Sequence, residues 1–153
     1  MAIVERLQEL GITLPEPPKA VAAYIPALVS GNLCFTSGQL PLHQGKLVAE
    51  GRVGTDVSPE LAYQAARQSA LNAISVAAAA AGGVERLKRV VKVVGFVQSD
   101  SEFHGQPQVI NGASELLESV FGNNGRHARS AVGTNALPLN ASVEVEIIFE
   151  VEA

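Results

Sequence analysis

The sequence has no tryptophan, one cysteine, one methionine and only 5% aromatic residues. A core must therefore be built from aliphatic and alanine contacts rather than from large rings. Cys34 has no partner for an internal disulfide, and the opening MAIVERLQELG carries Glu5, Arg6 and Glu9 where a secretory signal needs an apolar centre. The expected setting is reducing and cytoplasmic. No uninterrupted apolar run approaches the roughly 20 residues needed to span a bilayer. Positive charge is scarce as well, with 11 Lys and Arg against 15 Asp and Glu and no basic cluster. Nucleic-acid binding rests on concentrated positive charge, so a small or uncharged partner is expected.

Motifs with enforced spacing are missing too. There is no G-x-S-x-G nucleophile elbow, no phosphate-binding G-x-x-x-x-G-K-[ST], no H-E-x-x-H and no C-x-x-C. His43, His104 and His127 fall on three separate predicted loops, which speaks against a metal site. Asn140-Ala141-Ser142 fits a glycosylation sequon and, with no secretory signal, is read as chance.

What is present is one domain's worth of globular sequence: 153 residues, 47% hydrophobic and 17% charged, enough to bury a core without disulfides or metal. Residues 1–153 are read as a single domain, with residues 1–19 forming an N-terminal helix and a proline-rich arm. Ile3, Val4, Leu7 and Leu10 recur at helical spacing up to Gly11, and TLPEPPKA then supplies an extended linker. A surface this sparse in charge favours self-association.

YIPALVSGNLCFTSGQLP reads as a β-hairpin turning at Ser30-Gly31-Asn32. The longest helix signal starts at Ser58-Pro59, a cap followed by proline at the first helical position, and runs to Gly82-Gly83. Leu61, Ala65, Leu71, Ile74 and the alanine run are expected to form its packing face. LKRVVKVVGFVQS reads as a buried strand in which Gly95 marks a bulge or a close approach. A second helix is expected over about 109–120, broken by GNNG. In the terminal run Val143, Val145, Ile147, Phe149 and Val151 share one strand face, while Glu144, Glu146, Ile148, Glu150 and Glu152 share the other. Arg129 is expected at the entrance to a terminal β-hairpin. Together these elements predict an α+β two-layer sandwich, with two helices on one face of a mixed sheet and the opposite face exposing apolar surface in a monomer.

Polar residues at the ends of apolar elements are the candidate site: Thr36-Ser37-Gly38-Gln39, Asn111, Arg129-Ser130 and Glu144. Each also has a structural reading. Arg129 could pair on the surface, Glu144 could be solvated, Ser37 could form a turn, and Asn111 could bond its own helix.

Two blocks, GNLCFTSGQLP over Gly31 to Pro41 and ARSAVGTNALPLNASVEVEI over Ala128 to Ile147, resemble signatures of the RidA/YjgF family. The family is also labelled endoribonuclease L-PSP and YjgF/chorismate mutase-like, and the resemblance covers about residues 20–151, within a longer branch of about 150 residues. It implies a chorismate mutase-like fold, a homotrimer with ligand clefts between subunits, and no cofactor. It also implies hydrolysis of reactive enamine or imine intermediates, of the 2-iminobutanoate and 2-iminopropanoate type, to 2-keto acids and ammonia. Carried over residue by residue, Arg129 would bind the substrate carboxylate and Glu144 would hold the attacking water. Tyr24, Ser37, Asn111, Ser130 and Ala131 would line the substrate. Relatives usually carry Cys at the position of Ala131 and Gly-Pro at Ala22-Ala23, which leaves the substrate open. The alternatives are a trimer that binds a small carboxylate without turnover and, less favoured by the acidic composition, an endoribonuclease.

Overall fold

The structure, a computed structural model, describes residues 2–18 and 23–152. The chain begins with helix α1 (Ile3–Glu9). Arg6 Nε donates to the Ser119 carbonyl at 2.7 Å, docking α1 on the second long helix. Only Leu7 of α1 is buried, whereas Val4 and Leu10 stay exposed, so the apolar stripe is narrower than its spacing predicts. The proline-rich arm then lies along the first long helix, where the Ser75 hydroxyl donates to the Pro15 carbonyl.

Strands β1 (Ala27–Ser30) and β2 (Leu33–Thr36) form the expected hairpin, with Ser30 opposite Leu33 and Gly31 in the left-handed region at φ 63°. The following loop holds a minor hairpin of β3 (Leu42–His43) and β4 (Lys46–Leu47), which places His43 on a short strand instead of a loop.

Helix α2 (Pro59–Ala81) has the sequence-predicted boundaries. Ser58 Oγ accepts from the Leu61 amide at 3.2 Å, and Gly82 terminates the helix at φ 90°. Its packing face is more alanine-rich than expected. Ala62, Ala65, Ala66, Ala70, Ala73, Ile74 and Ala77 are buried, but Leu61, in the first turn, is 43% exposed. Small side chains let α2 lie close to the sheet beneath it.

Strand β5 (Leu87–Gln98) is followed by helix α3 (Gln106–Phe121), β6 (Ala128–Thr134) and β7 (Val143–Val151). Helix α3 begins about a turn earlier than the apolar pattern indicates, because Pro107 fits the first helical turn, where its missing N–H has no partner to lose. The five main strands run in the order β1-β2-β7-β5-β6. Only β5 and β6 are parallel, and α3 supplies the crossover such a pair requires.

The expected terminal hairpin is not formed. Strand β7 pairs antiparallel with β5, and β6 lies on the far side of β5 as an edge strand. The reason is burial. Strand β7 inserts Val143, Val145, Ile147, Phe149 and Val151 under the helices, a position only a central strand can occupy fully, while β6 has no fully buried residue. Gly95 marks a close approach and not a bulge: a Cβ there would lie 2.5 Å from Ile110 Cδ1, while the register shifts of β5 occur before it, between Leu87 and Lys92.

The result is an α+β two-layer sandwich with α2 and α3 on one face of a mixed sheet. Phe121 and Phe149 pack at 5.8 Å between centroids. The other face is open. Leu28 opposite Phe35, and Phe35 opposite Ile148, make an apolar row across three strands, and Leu28 is 53% exposed.

Candidate functional site

The strand registers decide which side of the sheet each candidate side chain occupies. Arg129 and Ala131 stand opposite Val93 and Gly95, both buried beneath the helices, so they share the helix-covered face. Ser130 stands opposite Val94, which is opposite Glu146. Glu144 is opposite Phe96, which is opposite Val132. Ser130 and Glu144 therefore belong to the open face. The candidates thus form two groups on opposite faces of the sheet.

The first group surrounds Arg129. Asn111 and Ser114 lie three residues apart on α3, a spacing that puts both on the side of the helix facing β6. Arg129 Nη1 donates to Asn111 Oδ1 at 2.8 Å and to Ser114 Oγ at 3.2 Å. Both acceptors are neutral, and among the described residues no carboxylate pairs with Arg129. All its hydrogen bonds among these residues run through Nη1, leaving the Nε and Nη2 N–H groups as a free fork. An arginine so held keeps its full charge for an anion, and the fork matches a carboxylate or phosphate. Ala131 packs against the core, and Ser130, its neighbour, is exposed on the other side of the strand.

The second group surrounds Glu144. Beyond the end of β2, Gln39 exchanges backbone hydrogen bonds with Val145, which draws Ser37 and Gly38 alongside β7. Gly38 leaves room for the Glu144 side chain, since a Cβ would lie 2.8 Å from Glu144 Cδ and would displace the carboxyl. Ser37 Oγ donates to the Ile25 carbonyl at 2.7 Å, holding the chain next to Tyr24, which is 60% exposed. Burial raises the Glu144 carboxyl above its ordinary value, and the nearby charge of Glu146 raises it further. The group thus holds a carboxyl that binds a proton more readily than a surface glutamate. Ala22 lies outside the described residues, while Ala23 is exposed beside Tyr24.

Sequence reasoning missed Ser114, placed Glu146 on the face of Glu144 without giving it a part in the site, and read His127 only as a loop residue. The Asn111 and Ser114 spacing on a helix that neighbours an arginine-bearing strand was the available signal. Among the described residues no group of three potential ligands could hold a metal ion, and no helix is long and apolar enough to cross a membrane.

The family described as "YjgF/chorismate_mutase-like, putative endoribonuclease" matches residues 4–151. The chain belongs to this RidA/YjgF family. The match reaches further towards the N-terminus than the two motif blocks and takes in most of α1. Protein TCP17 of Trypanosoma cruzi is 42% identical over 97% of this chain and 93% of its own length. A protein of unknown function from Agrobacterium tumefaciens, known from its crystal structure, is 47% identical with a TM-score of 0.90, covering 99% of this chain and 94% of its own. A 2-iminobutanoate/2-iminopropanoate deaminase of Dermatophagoides farinae is 29% identical over 92% of this chain and 95% of its own length. The Agrobacterium tumefaciens structure thus shares the α+β fold described above over almost the whole of this chain.

Proposed function

We propose that the protein hydrolyses small 2-imino acids, of the 2-iminopropanoate and 2-iminobutanoate type, to 2-keto acids and ammonia. The observation that carries this reading is the Arg129 guanidinium, pinned at Nη1 by two neutral acceptors with its Nε and Nη2 fork unpaired among the described residues. Such a group binds a carboxylate bidentately and fixes the substrate's orientation. The deaminase named among the relatives supports the reaction type.

In the proposed reaction Glu144 holds a water against the imine carbon and accepts one of its protons. The water oxygen forms a bond to that carbon while the C–N π electrons move to nitrogen, which takes the proton from Glu144 to give the neutral carbinolamine. Glu144 then accepts the hydroxyl proton and passes it to the amino nitrogen: the C–O π bond forms as the C–N bond breaks, and nitrogen leaves as ammonia. No oxidant or reductant is consumed. A carboxyl with a raised pKa suits both halves of this proton transfer.

Because Arg129 and Glu144 occupy opposite faces, the proposed site forms between subunits: the Arg129 group of one copy meets the Tyr24, Ser37 and Glu144 group of another. The apolar row of exposed Leu28 and Phe35 and half-buried Ile148 supports a closed oligomer, and we propose a homotrimer. Ser130 and the Ala131 backbone would complete the pocket wall. The reaction as written requires no cofactor.

The test is a coupled assay in which 2-aminoacrylate is generated in the presence of the protein. Wild type should speed pyruvate formation and Arg129→Ala should not; equal rates with the two proteins would refute the proposal. A trimer that binds 2-keto acids without turnover is the second reading, favoured by the Ala131 methyl packed into the core where relatives usually carry a thiol. It predicts stabilisation by pyruvate together with a negative deaminase assay. Ribonuclease action is disfavoured by the formal net charge of −4, and RNA cleavage that disappears in Arg129→Ala would reverse that judgement.

A further inference from the structure

Two residues beside Arg129 have no part in the reaction proposed above, and their hydrogen bonds have a fixed direction. His127 Nδ1 contacts the carbonyl oxygen of Gly125, which can only accept, so Nδ1 carries a hydrogen. In the neutral ring Nε2 is then an acceptor. Its partner is Ser114 Oγ at 2.9 Å, so the single hydroxyl proton of Ser114 is given to Nε2. The Oγ lone pairs remain, and one of them receives Arg129 Nη1 at 3.2 Å. Direction therefore runs from Arg129 through Ser114 and His127 to the Gly125 backbone. Gly125 is itself buried against the last turn of α3, where a Cβ would lie 2.3 Å from the Leu117 carbonyl oxygen.

We propose that Ser114 and His127 are positioning residues for Arg129, holding its guanidinium so that the Nε and Nη2 edge meets a ligand carboxylate. A serine inside a helix otherwise turns its hydroxyl to the carbonyl four residues earlier. By accepting the hydroxyl proton, His127 keeps Oγ aimed at Nη1. With Asn111 Oδ1 on the same nitrogen, both Nη1 hydrogens are used, which fixes the plane of the guanidinium as well as its place. A carboxylate in the position of Ser114 would hold the arginine equally well but cancel its charge. The neutral pair of serine and histidine holds it without competing with the ligand.

This inference rests on the carboxylate-binding part of the proposed function, and its test uses binding instead of turnover. Titration calorimetry on the whole protein would measure pyruvate and its uncharged analogue pyruvamide. Ser114→Ala and His127→Phe should each weaken pyruvate by about tenfold, the size expected for a lost hydrogen bond to a charged group, and leave pyruvamide unchanged. Ser114→Thr and His127→Gln should restore most of the pyruvate affinity. If His127→Phe fails to fold, the Ser114→Ala and Ser114→Thr pair decides the question alone. Pyruvate binding unchanged in Ser114→Ala, or equal loss of pyruvate and pyruvamide, overturns this proposal and leaves the proposed function standing. A wild type that binds neither pyruvate nor 2-oxobutanoate overturns both.

Discussion

Arg129 and Glu144 lie on opposite faces of one sheet, on strands β6 and β7 that flank β5 from either side. Two strand spacings, about 10 Å, and the thickness of the sheet separate them, so one chain cannot put both on one small substrate. Arg129→Ala and Glu144→Gln should accordingly each be inactive alone and regain activity when co-refolded. With random mixing, about a quarter of the inter-subunit sites carry both intact groups. Imine hydrolysis by the mixture, near that fraction of wild type, is the expected result, and a mixture no more active than its parts would place the site within one chain.

Arg129→Lys tests whether geometry or charge matters at that position. The lysine keeps the positive charge but cannot offer two parallel N–H groups, nor reach Asn111 and Ser114 while doing so. Pyruvate affinity should fall by about 2 kcal/mol, most of the loss seen in Arg129→Ala. Calorimetry would read this directly, and near-wild-type affinity in the lysine variant would show that a point charge suffices.

Glu144 sets a pH dependence of defined sign. Only its ionised form can take a proton from water, and burial followed by repulsion from Glu146 raises its pKa. The acid limb of turnover should therefore lie above the ordinary glutamate range, and Glu146→Gln should shift it to lower pH. Stability follows the same linkage. The raised value favours the protonated native state below the unfolded-state pKa, and this contribution is lost as pH rises through the folded-state value. Glu144→Gln should thus melt at least as high as wild type at neutral pH, with the gap closing on acidification. A gap that widens in acid would contradict the assignment.

Ser58 offers a control on the fold rather than the site. Its hydroxyl caps α2 through the Leu61 amide, so Ser58→Ala should cost about 1 kcal/mol and Ser58→Gly only a few tenths. Chemical denaturation would show the difference, and pyruvate binding should be unaffected in both variants.

Elements whose ends carry their own chemistry were legible in the sequence. Ser58-Pro59 and Gly82 bounded α2, Gly31-Asn32 turned the first hairpin, and strict alternation from Val143 to Val151 gave the buried face of β7. Strand neighbours were not legible, because alternation says which face is buried and nothing about what lies alongside. Hence Arg129 was expected in a hairpin with β7, although β5 comes between them. Leu61 was misplaced for a related reason: spacing alone does not fix where the edge of the buried stripe falls, and Leu61 stays 43% exposed while its neighbour Ala62 and Ala65 one turn on are buried. Among the site residues, those belonging to the two motif blocks and Asn111 stood out. Ser114 and His127 did not, since their meaning lies in a contact between α3 and the segment leading into β6.

The place of β7 between β2 and β5 also governs how the molecule can assemble as it is synthesised. The β1–β2 hairpin and the β5–α3–β6 unit can each form early, yet neither has its central neighbour until β7 has been made. During that interval the edges of β2 and β5 are open and able to capture another nascent chain. Joining residues 33–36 to residues 143–151 is a late, long-range closure, so vulnerability to aggregation should be concentrated before the last strand and reduced after it.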